Sequence, residues 1–388
     1  MLERAQRAPR TGQTGTNDEQ QDAAADRPLA ARVHAELAAG GFQSGAALAR
    51  QLGVSRNAIW KAVRTLRGLG LTIHAVRHRG YRLPVPCDPL DPAAIRAALT
   101  TDAQRHIRRI DAMWSIDSTN AALLARAAPP PGLADILLAE HQTAGRGRLG
   151  RGWLALPGGS ICLSIGWSFP QLPRDLGALG LAVGVAALRA LRAAVGGESR
   201  FETRLGPTPA RLALKWPNDL VLGDRKLGGI LIEMRAESAG PTYVVIGIGV
   251  NLFLGARLAQ QVAATGTQVA DLASTGADTR RRNALVARLA SEIISGLVEF
   301  QREGLRPFAG EWKAADMLCG RPVIVRSAQA KWQGIARGID ASGALLVQTP
   351  QGVRQVTSGD VSVRAADGAA MDGDGAAMGG PGRGQCEP

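Results

Sequence analysis

The segment Gly145-Arg146-Gly147-Arg148-Leu149-Gly150-Arg151 sets three arginines and no acid among three glycines. Guanidinium groups are planar donor forks suited to a carboxylate or a phosphate, and glycine lets the backbone approach such a ligand closely. Like charges repel within one loop, so the segment is expected to order only around an anion. Its first six residues fit G-x-G-x-x-G, the dinucleotide fingerprint, and residues 134–140 before it read as a strand. The fingerprint also requires a helix opening at the third glycine. Residues 151–159 are instead turn-rich and carry no helical period, so the dinucleotide reading fails, and the pattern G-x-x-x-x-G-K-[ST] does not occur. A basic surface loop or a nucleic-acid contact still fits the spacing of this segment taken alone.

Three further segments carry chemistry. Lys215-Trp216-Pro217-Asn218-Asp219-Leu220 lies at a strand end, and Lys226-Leu227-Gly228-Gly229 opens a strand after a turn at Gly223-Asp224. The apolar strand over residues 244–252 contains Gly247 and Gly249, which would let a ligand ring lie on the backbone, and ends near Asn251. Nucleophilic or acid–base machinery is sparse. The histidines are His34, His74, His78, His106 and His141, and no Ser-His-Asp or Cys-His arrangement is suggested. Cys87, Cys162, Cys319 and Cys386 are far apart, which argues against a zinc ribbon or a disulfide framework and for reduced thiols.

A second basic feature lies upstream. Residues 44–83 hold Arg50, Arg56, Lys61, Arg64, Arg67, Arg77, Arg79 and Arg82 and no Asp or Glu, so they carry more than half of the chain's net charge of +13. Pro28 suits a helix start, and Leu29, Val33 and Leu37 follow at helical spacing before Gly40-Gly41. Residues 44–52 read as a second helix. After the turn Gly53-Val54, Ser55 is an N-cap for a third helix whose apolar face is Ile59, Val63 and Leu66. Its other face gathers Arg56, Asn57, Trp60, Lys61 and Arg64. A short helix, a tight turn and a basic second helix form a helix-turn-helix, with Arg56 and Asn57 placed for base edges and Lys61 and Arg64 for phosphates. Residues 71–76 and 81–83, around Arg77-His78-Arg79-Gly80, read as the two strands of a basic wing.

The elements that must position these residues follow from composition. A chain of 388 residues implies two or three domains, and 45% hydrophobic content supplies a sizeable core. Residues 1–27 read as a disordered leader, 28–84 as the winged helix, 90–317 as a domain alternating strand-like and helix-like patterns, 318–364 as short strands, and 365–388 as a disordered Gly-rich tail. The longest apolar run, residues 176–188, is too short to span a bilayer and reads as a buried helix. With no signal peptide visible, a cytoplasmic protein without membrane association is expected.

Asp117-Ser118-Thr119-Asn120, the 145–153 loop, residues 215–220 and 226–233, and Gly247 to Asn251 occur in the order seen in biotin–protein ligases. With the basic unit in front, the chain resembles the bacterial bifunctional form that is also the biotin operon repressor. The resemblance runs from about residue 30 to 364. It implies an α/β (α+β) fold class: a winged helix-turn-helix, a mixed α/β catalytic domain of the biotin/lipoate ligase type, and a small SH3-like β barrel.

It further implies an AMP-forming reaction of ATP with biotin, followed by transfer of biotin to a lysine of a carboxylase carrier domain. By this resemblance Ser118, Thr119, Asn120 and Gln142 match residues recognising the biotin ring, and Arg146, Gly147 and Arg148 match the loop that closes over biotin and its adenylate. Lys226 matches the lysine at the biotin carboxylate and α-phosphate, and Gly229, Gly247 and Gly249 match backbone lining the pocket. Arg151, Trp153, Asn218 and Asn251, with Arg148 and Lys226, match positions near ATP. Lys226, Arg148 and Asp219 are the implied catalytic residues, Asp219 acting through magnesium, with no resident metal site. Ser55, Arg56, Asn57, Trp60, Lys61 and Arg64 would meet operator DNA, and a homodimer is implied when adenylate is bound. Leu149 and Gly152 depart from the family by being uncharged where some relatives are basic, and residues 198–211 resemble an insertion. A regulator that only senses a small acid and a lipoate-type ligase are the competing readings. The first would lack acceptor labelling; the second would be expected to lack the arginine loop.

Overall fold

The computed structural model describes residues 27–196, 210–235, 240–327, 330–357 and 362–365. The expected leader and tail and most of the expected insertion at 198–211 lie outside the described residues. Contacts divide the chain into two units, Met1–Pro84 and Val85–Pro388.

In the first unit α1 (Leu29–Ala38), α2 (Gly45–Gln51) and α3 (Arg56–Gly68) precede a hairpin of β1 (His74–Val76) and β2 (Gly80–Arg82). Ser55 is the cap the sequence announces, and Ser44, read as the first residue of the second helix, is that helix's cap. Ser44 Oγ accepts from Ala47 N and Ser55 Oγ from Ala58 N, each at 3.1 Å. Such a bond satisfies one of the donors that a helix start leaves open. Val33, Leu37, Leu48, Ile59, Val63 and Leu66 are at most 1% exposed. The wing strands are shorter than the expected 71–76 and 81–83, because Leu71, Ile73 and Leu83 are buried in the core of the unit rather than alternating along a hairpin. Tyr81 exchanges two backbone bonds of 2.8 Å with Gln43, an approach that needs Gly80 at φ 100°: a Cβ there would sit 2.1 Å from Gln43 O.

The second unit is built on a seven-stranded sheet. Its order is β3 (Ile107–Ile116), β4 (Ala134–Gln142), β5 (Ser160–Phe169), β9 (Thr242–Asn251), β8 (Arg225–Arg235), β7 (Asp219–Leu222) and β6 (Leu212–Lys215). Only β3 and β4 run parallel, and α6 (Thr119–Ala125) makes the crossover between them. Side chains alternate across the sheet. Ile161, Leu163, Ile165 and Trp167 of β5 and Val244, Ile246, Ile248 and Val250 of β9 enter the main core with α7 (Leu179–Ala194) and α9 (Arg282–Glu303). The intervening positions face the other way, Cys162, Gly247 and Gly249 among them lining a cleft and Ser164 lying fully buried.

The expected apolar run 176–188 continues past Arg189, because that guanidinium reaches Glu311 of a later helix, α10 (Ala309–Ala315), with Nε–Oε2 3.0 Å. Leu176–Ala194 is therefore long and apolar enough to cross a membrane by length and composition, yet two thirds of it is buried inside this unit.

The expected small barrel is represented by five antiparallel strands, β10 (Pro322–Arg326), β11 (Lys331–Ile339), β12 (Leu345–Thr349), β13 (Gly352–Val356) and β14 (Ser362–Ala365), ordered β13-β12-β11-β10-β14. Val323, Val325, Leu345 and Val347 join the same core as the large sheet. Trp216 Nε1 donates to Gly343 O at 3.1 Å across the junction. Cys87 and Cys162 are free and buried.

Candidate functional site

Strand register builds the floor of the cleft. Cys162, Gly249, Gly229 and Asp219 form one row across β5, β9, β8 and β7, and Ser164, Gly247 and Leu231 form the next. The cleft above has a volume of about 1100 Å³, wide enough for a nucleotide and a second small molecule. Gly247 and Gly249 line it, but their missing side chains make room first for the protein's own. A Cβ at Gly247 would fall 2.4 Å from Asn120 Oδ1, and one at Gly249 would fall 2.4 Å from the Trp153 indole. The expectation that a ligand ring lies directly on these glycines is corrected to that extent.

At one end the N-terminus of α6 supplies a buried polar network. Ser118 Oγ caps the helix through Ala121 N at 3.4 Å. Thr119 donates to Gln142 Oε1 through its amide (2.8 Å) and its hydroxyl (3.1 Å). Ser164 Oγ, fully buried, lies 2.7 Å from Thr119 Oγ1 and 2.6 Å from Asn120 Oδ1. Buried polar atoms need partners, and here they find them in one another around a wall of the cleft.

The arginine loop closes on itself through backbone bonds. Trp153 N donates to Gly145 O at 2.8 Å, Gly147 N to Arg151 O at 2.7 Å, and Arg146 bridges to Gly152. Leu149 and Gly150 turn the chain at positive φ, 57° and 69°. The repulsion anticipated from composition is relieved from outside the loop: Arg146 Nη1 pairs with Glu233 Oε1 at 2.9 Å, and Arg148 Nη1 reaches Asn218 Oδ1 at 3.4 Å. Arg151 is exposed at the rim.

The opposite end holds the cationic chemistry. Lys226 Nζ pairs with Asp219 Oδ1 at 2.6 Å, both about one quarter exposed. Asn218 Nδ2 donates to Ile230 O at 2.7 Å, fixing the turn before β7. Asn251 lines the cleft but is buried, its amide donating to Ala270 O at 3.1 Å. Lys215 also lines the cleft. Burial pushes its amine below the ordinary lysine value, with Lys226, Arg364 and Arg151 adding to the effect and Asp219 opposing it. Arg364 of β14 brings the C-terminal sheet to the mouth. Cys162 on the floor is no nucleophile, since burial pushes its thiol up to about 12. Among the described residues no group of three His, Cys, Asp or Glu side chains gathers to hold an ion.

In the first unit, Ser55, Arg56, Asn57, Trp60, Lys61 and Arg64 are all exposed, and α3 therefore presents one continuous polar face. Arg64 lies over the Trp60 ring at 5.7 Å, and Trp60 is half exposed. Ser55 spends its hydroxyl on the cap. In the wing Arg79 and Arg82 lie over Phe42 at 4.2 and 4.9 Å, while Arg77 is exposed beside them.

Three family models match this chain: HTH domain at residues 32–82, biotin/lipoate A/B protein ligase family at 114–251, and biotin protein ligase C terminal domain at 318–364. The bifunctional ligase/repressor BirA of Escherichia coli is 35% identical over 342 residues, 88% of this chain and 99% of that one. The chain belongs to the bifunctional ligase/repressor family. The BirA of Salmonella typhimurium is 36% identical over 85% of this chain and 96% of its own length. The biotin–[acetyl-CoA-carboxylase] ligase of Mycobacterium tuberculosis is 35% identical over 70% and 95%. In fold the chain resembles a biotin protein ligase from Aquifex aeolicus in complex with biotin and ATP, with TM-score 0.52, 24% identity, and coverage of 67% of this chain and 100% of that one.

The ligase family model spans all four floor strands of the cleft. In this ligase/repressor the expected positions Ser118, Thr119, Asn120, Gln142, Arg146, Gly147, Arg148, Arg151, Trp153, Asn218, Asp219, Lys226, Gly229, Gly247, Gly249 and Asn251 all line that cleft. Sequence reasoning missed Ser164 and Glu233 and gave Lys215 no role. Ser164 had a signal, since small polar residues alternate with Ile161, Leu163, Ile165 and Trp167 along β5. Glu233 had none: its partners Arg146 and Asn120 lie 87 and 113 residues away.

Proposed function

We propose that this ligase/repressor joins biotin and ATP into biotinyl-5'-AMP in the cleft, then passes biotin to a lysine of a carboxylase carrier domain. The observation that carries the reading is the two-ended cleft: a buried hydrogen-bonding network at Thr119, Asn120, Gln142 and Ser164, and a cationic end at Lys226. A small uncharged polar ring suits the first end, and a carboxylate meeting a phosphate suits the second.

In the first step a carboxylate oxygen of biotin attacks the α-phosphorus of ATP, and the bond to the β-phosphate oxygen breaks to release pyrophosphate. Two anions must meet, so the barrier is electrostatic and positional. Ser118, Thr119, Asn120 and Gln142, over Gly247 and Gly249, orient the ring, and Lys226 draws the carboxylate and α-phosphate together. Arg146, Gly147 and Arg148 close over the product. Arg151, Trp153, Asn218 and Asn251 flank the nucleotide, and Gly229 lines the biotin pocket. Magnesium usually binds one or two carboxylates together with nucleotide phosphates, and Asp219 is suitably placed to receive it on ATP, where it would neutralise phosphate charge. In the second step the acceptor amine attacks the acyl carbon and AMP leaves with the bonding electrons. Arg148 and Lys226 hold the adenylate meanwhile, sheltered from water.

The same protein acts as a repressor of biotin synthesis. Residues 28–84 form its DNA-binding domain, 90–317 its catalytic domain and 318–364 the C-terminal domain. Arg56 and Asn57 read base edges, Lys61 and Arg64 meet phosphates, and Trp60 packs against the duplex. Biotinyl-AMP serves as corepressor by favouring a homodimer on an inverted repeat, and both activities belong in the cytoplasm, away from membranes.

The test combines ATP with either biotin or lipoate and follows pyrophosphate release, then adds a carrier domain and a DNA titration. Release and carrier labelling with biotin are expected, together with tighter operator binding once adenylate forms. Release with lipoate alone would overturn the ligase half.

A further inference from the structure

Glu233 is an acid in a cationic site, and neither of its two bonds goes to a neighbour on its own strand. Its Oε2 accepts from Asn120 Nδ2 at 2.9 Å and its Oε1 from Arg146 Nη1 at 2.9 Å. The first residue belongs to the buried network at the ring end, and the second to the arginine loop. Register places Glu233 on β8 opposite Val245 of β9, one row beyond the Leu231–Gly247 row. Its side chain is one quarter exposed, and it lines a space of about 550 Å³ beneath the loop.

Two features make this arrangement specific. An ionised carboxylate only accepts hydrogen bonds, so Glu233, with Leu231 O at 3.3 Å from the same Nδ2, turns the Asn120 NH₂ toward β8 and its Oδ1 toward Ser164. The small space over Gly247 holds the amide in place once it is turned. The other oxygen neutralises Arg146 and pins the loop near its first glycine. One side chain thus takes part both in the donor–acceptor pattern offered to the ring and in the resting position of the loop that covers it.

Building on the proposed biotinylation, we infer that Glu233 is a positioning residue that couples recognition of the biotin ring to closure of the arginine loop. It touches neither reacting atom and acts through Asn120 and Arg146. Gln in its place can still accept from Asn120, but its NH₂ then faces Arg146, donor against donor. Ala supports neither partner. The two variants separate the halves of the role.

The experiment uses the full chain, wild type, Glu233→Ala and Glu233→Gln. It measures KM for biotin and for ATP, kcat for pyrophosphate release, and the lifetime of biotinyl-AMP on the enzyme. Loss of a hydrogen bond to a charged group should raise the biotin KM of Glu233→Ala about tenfold and shorten the adenylate lifetime about tenfold. KM for ATP and kcat should stay within about threefold of wild type. Glu233→Gln should recover most of the biotin KM while its adenylate lifetime remains short. Unchanged biotin KM and lifetime in both variants would overturn the inference. So would parallel losses in both KM values and kcat with a lowered melting temperature, which mark a structural role only. Failure of wild type to release pyrophosphate with biotin would instead sink the ligase reading itself.

Discussion

Helix α3 and the cleft are both basic, yet Arg146 and Lys226 of the cleft hold their charge differently from the cations of α3. On α3, Arg56, Lys61 and Arg64 stand exposed and enter no ion pair among the described residues. In the cleft, Arg146 is paired with Glu233 and Lys226 with Asp219. Unpaired exposed cations build a field that draws in a polyanion and releases its counterions on contact. Paired cations are kept in position until a competing carboxylate or phosphate takes over, which favours geometry over long-range attraction. The same two residue types thus serve attraction in one unit and placement in the other, and the deciding factor is the acid beside them.

Salt should break the comparison open most widely. A face making about six phosphate contacts loses on the order of 10³ in DNA affinity between about 50 and 200 mM salt. The biotin KM, governed by pre-paired groups at close range, should move less than about threefold over the same change. Equal salt dependence of the two would erase the distinction. Next in size, Lys226→Ala should lower kcat for pyrophosphate release on the order of 10²-fold, as loss of a charge-placing donor does elsewhere. DNA affinity measured without biotin or ATP should be unaffected.

Smaller effects sharpen the picture. Lys215 has a lowered pKa, so it is charged below that value and turns neutral as pH rises through it, before an ordinary lysine would. Because Lys215 lines the cationic end of the cleft, where the proposed function puts the phosphates, KM for ATP should rise toward alkaline pH earlier than the unperturbed lysine range predicts. Lys215→Arg, which keeps its charge, should flatten that rise. The smallest effect is expected for Ser55→Ala, which removes the cap bond to Ala58 N and should cost the first unit about 1 kcal/mol in thermal unfolding.

How much of this was legible in the sequence differs between the regions for a physical reason. The helix-turn-helix is built from local signals: a cap at Ser55, turns at glycine, and an apolar face at helical spacing. The cleft depends on register. Nothing local aligns Cys162 with Gly249, Gly229 and Asp219, and only resemblance brought most of those segments together. Gly247 and Gly249 correctly announced close approach, but the occupants proved to be Asn120 and Trp153. Composition correctly described the loop's charge and missed its neutralisation, because Glu233 is 87 residues from Arg146. The wing was overextended because Leu71, Ile73 and Leu83 look like strand residues and serve a helical core instead.

Pyrophosphate release from one protein preparation, given ATP with biotin and ATP with lipoate in parallel, tests the central claim most directly. The account predicts a burst of about one pyrophosphate per protein molecule with biotin, since the closed loop retains the adenylate, and none with lipoate. Release with lipoate and none with biotin would contradict it.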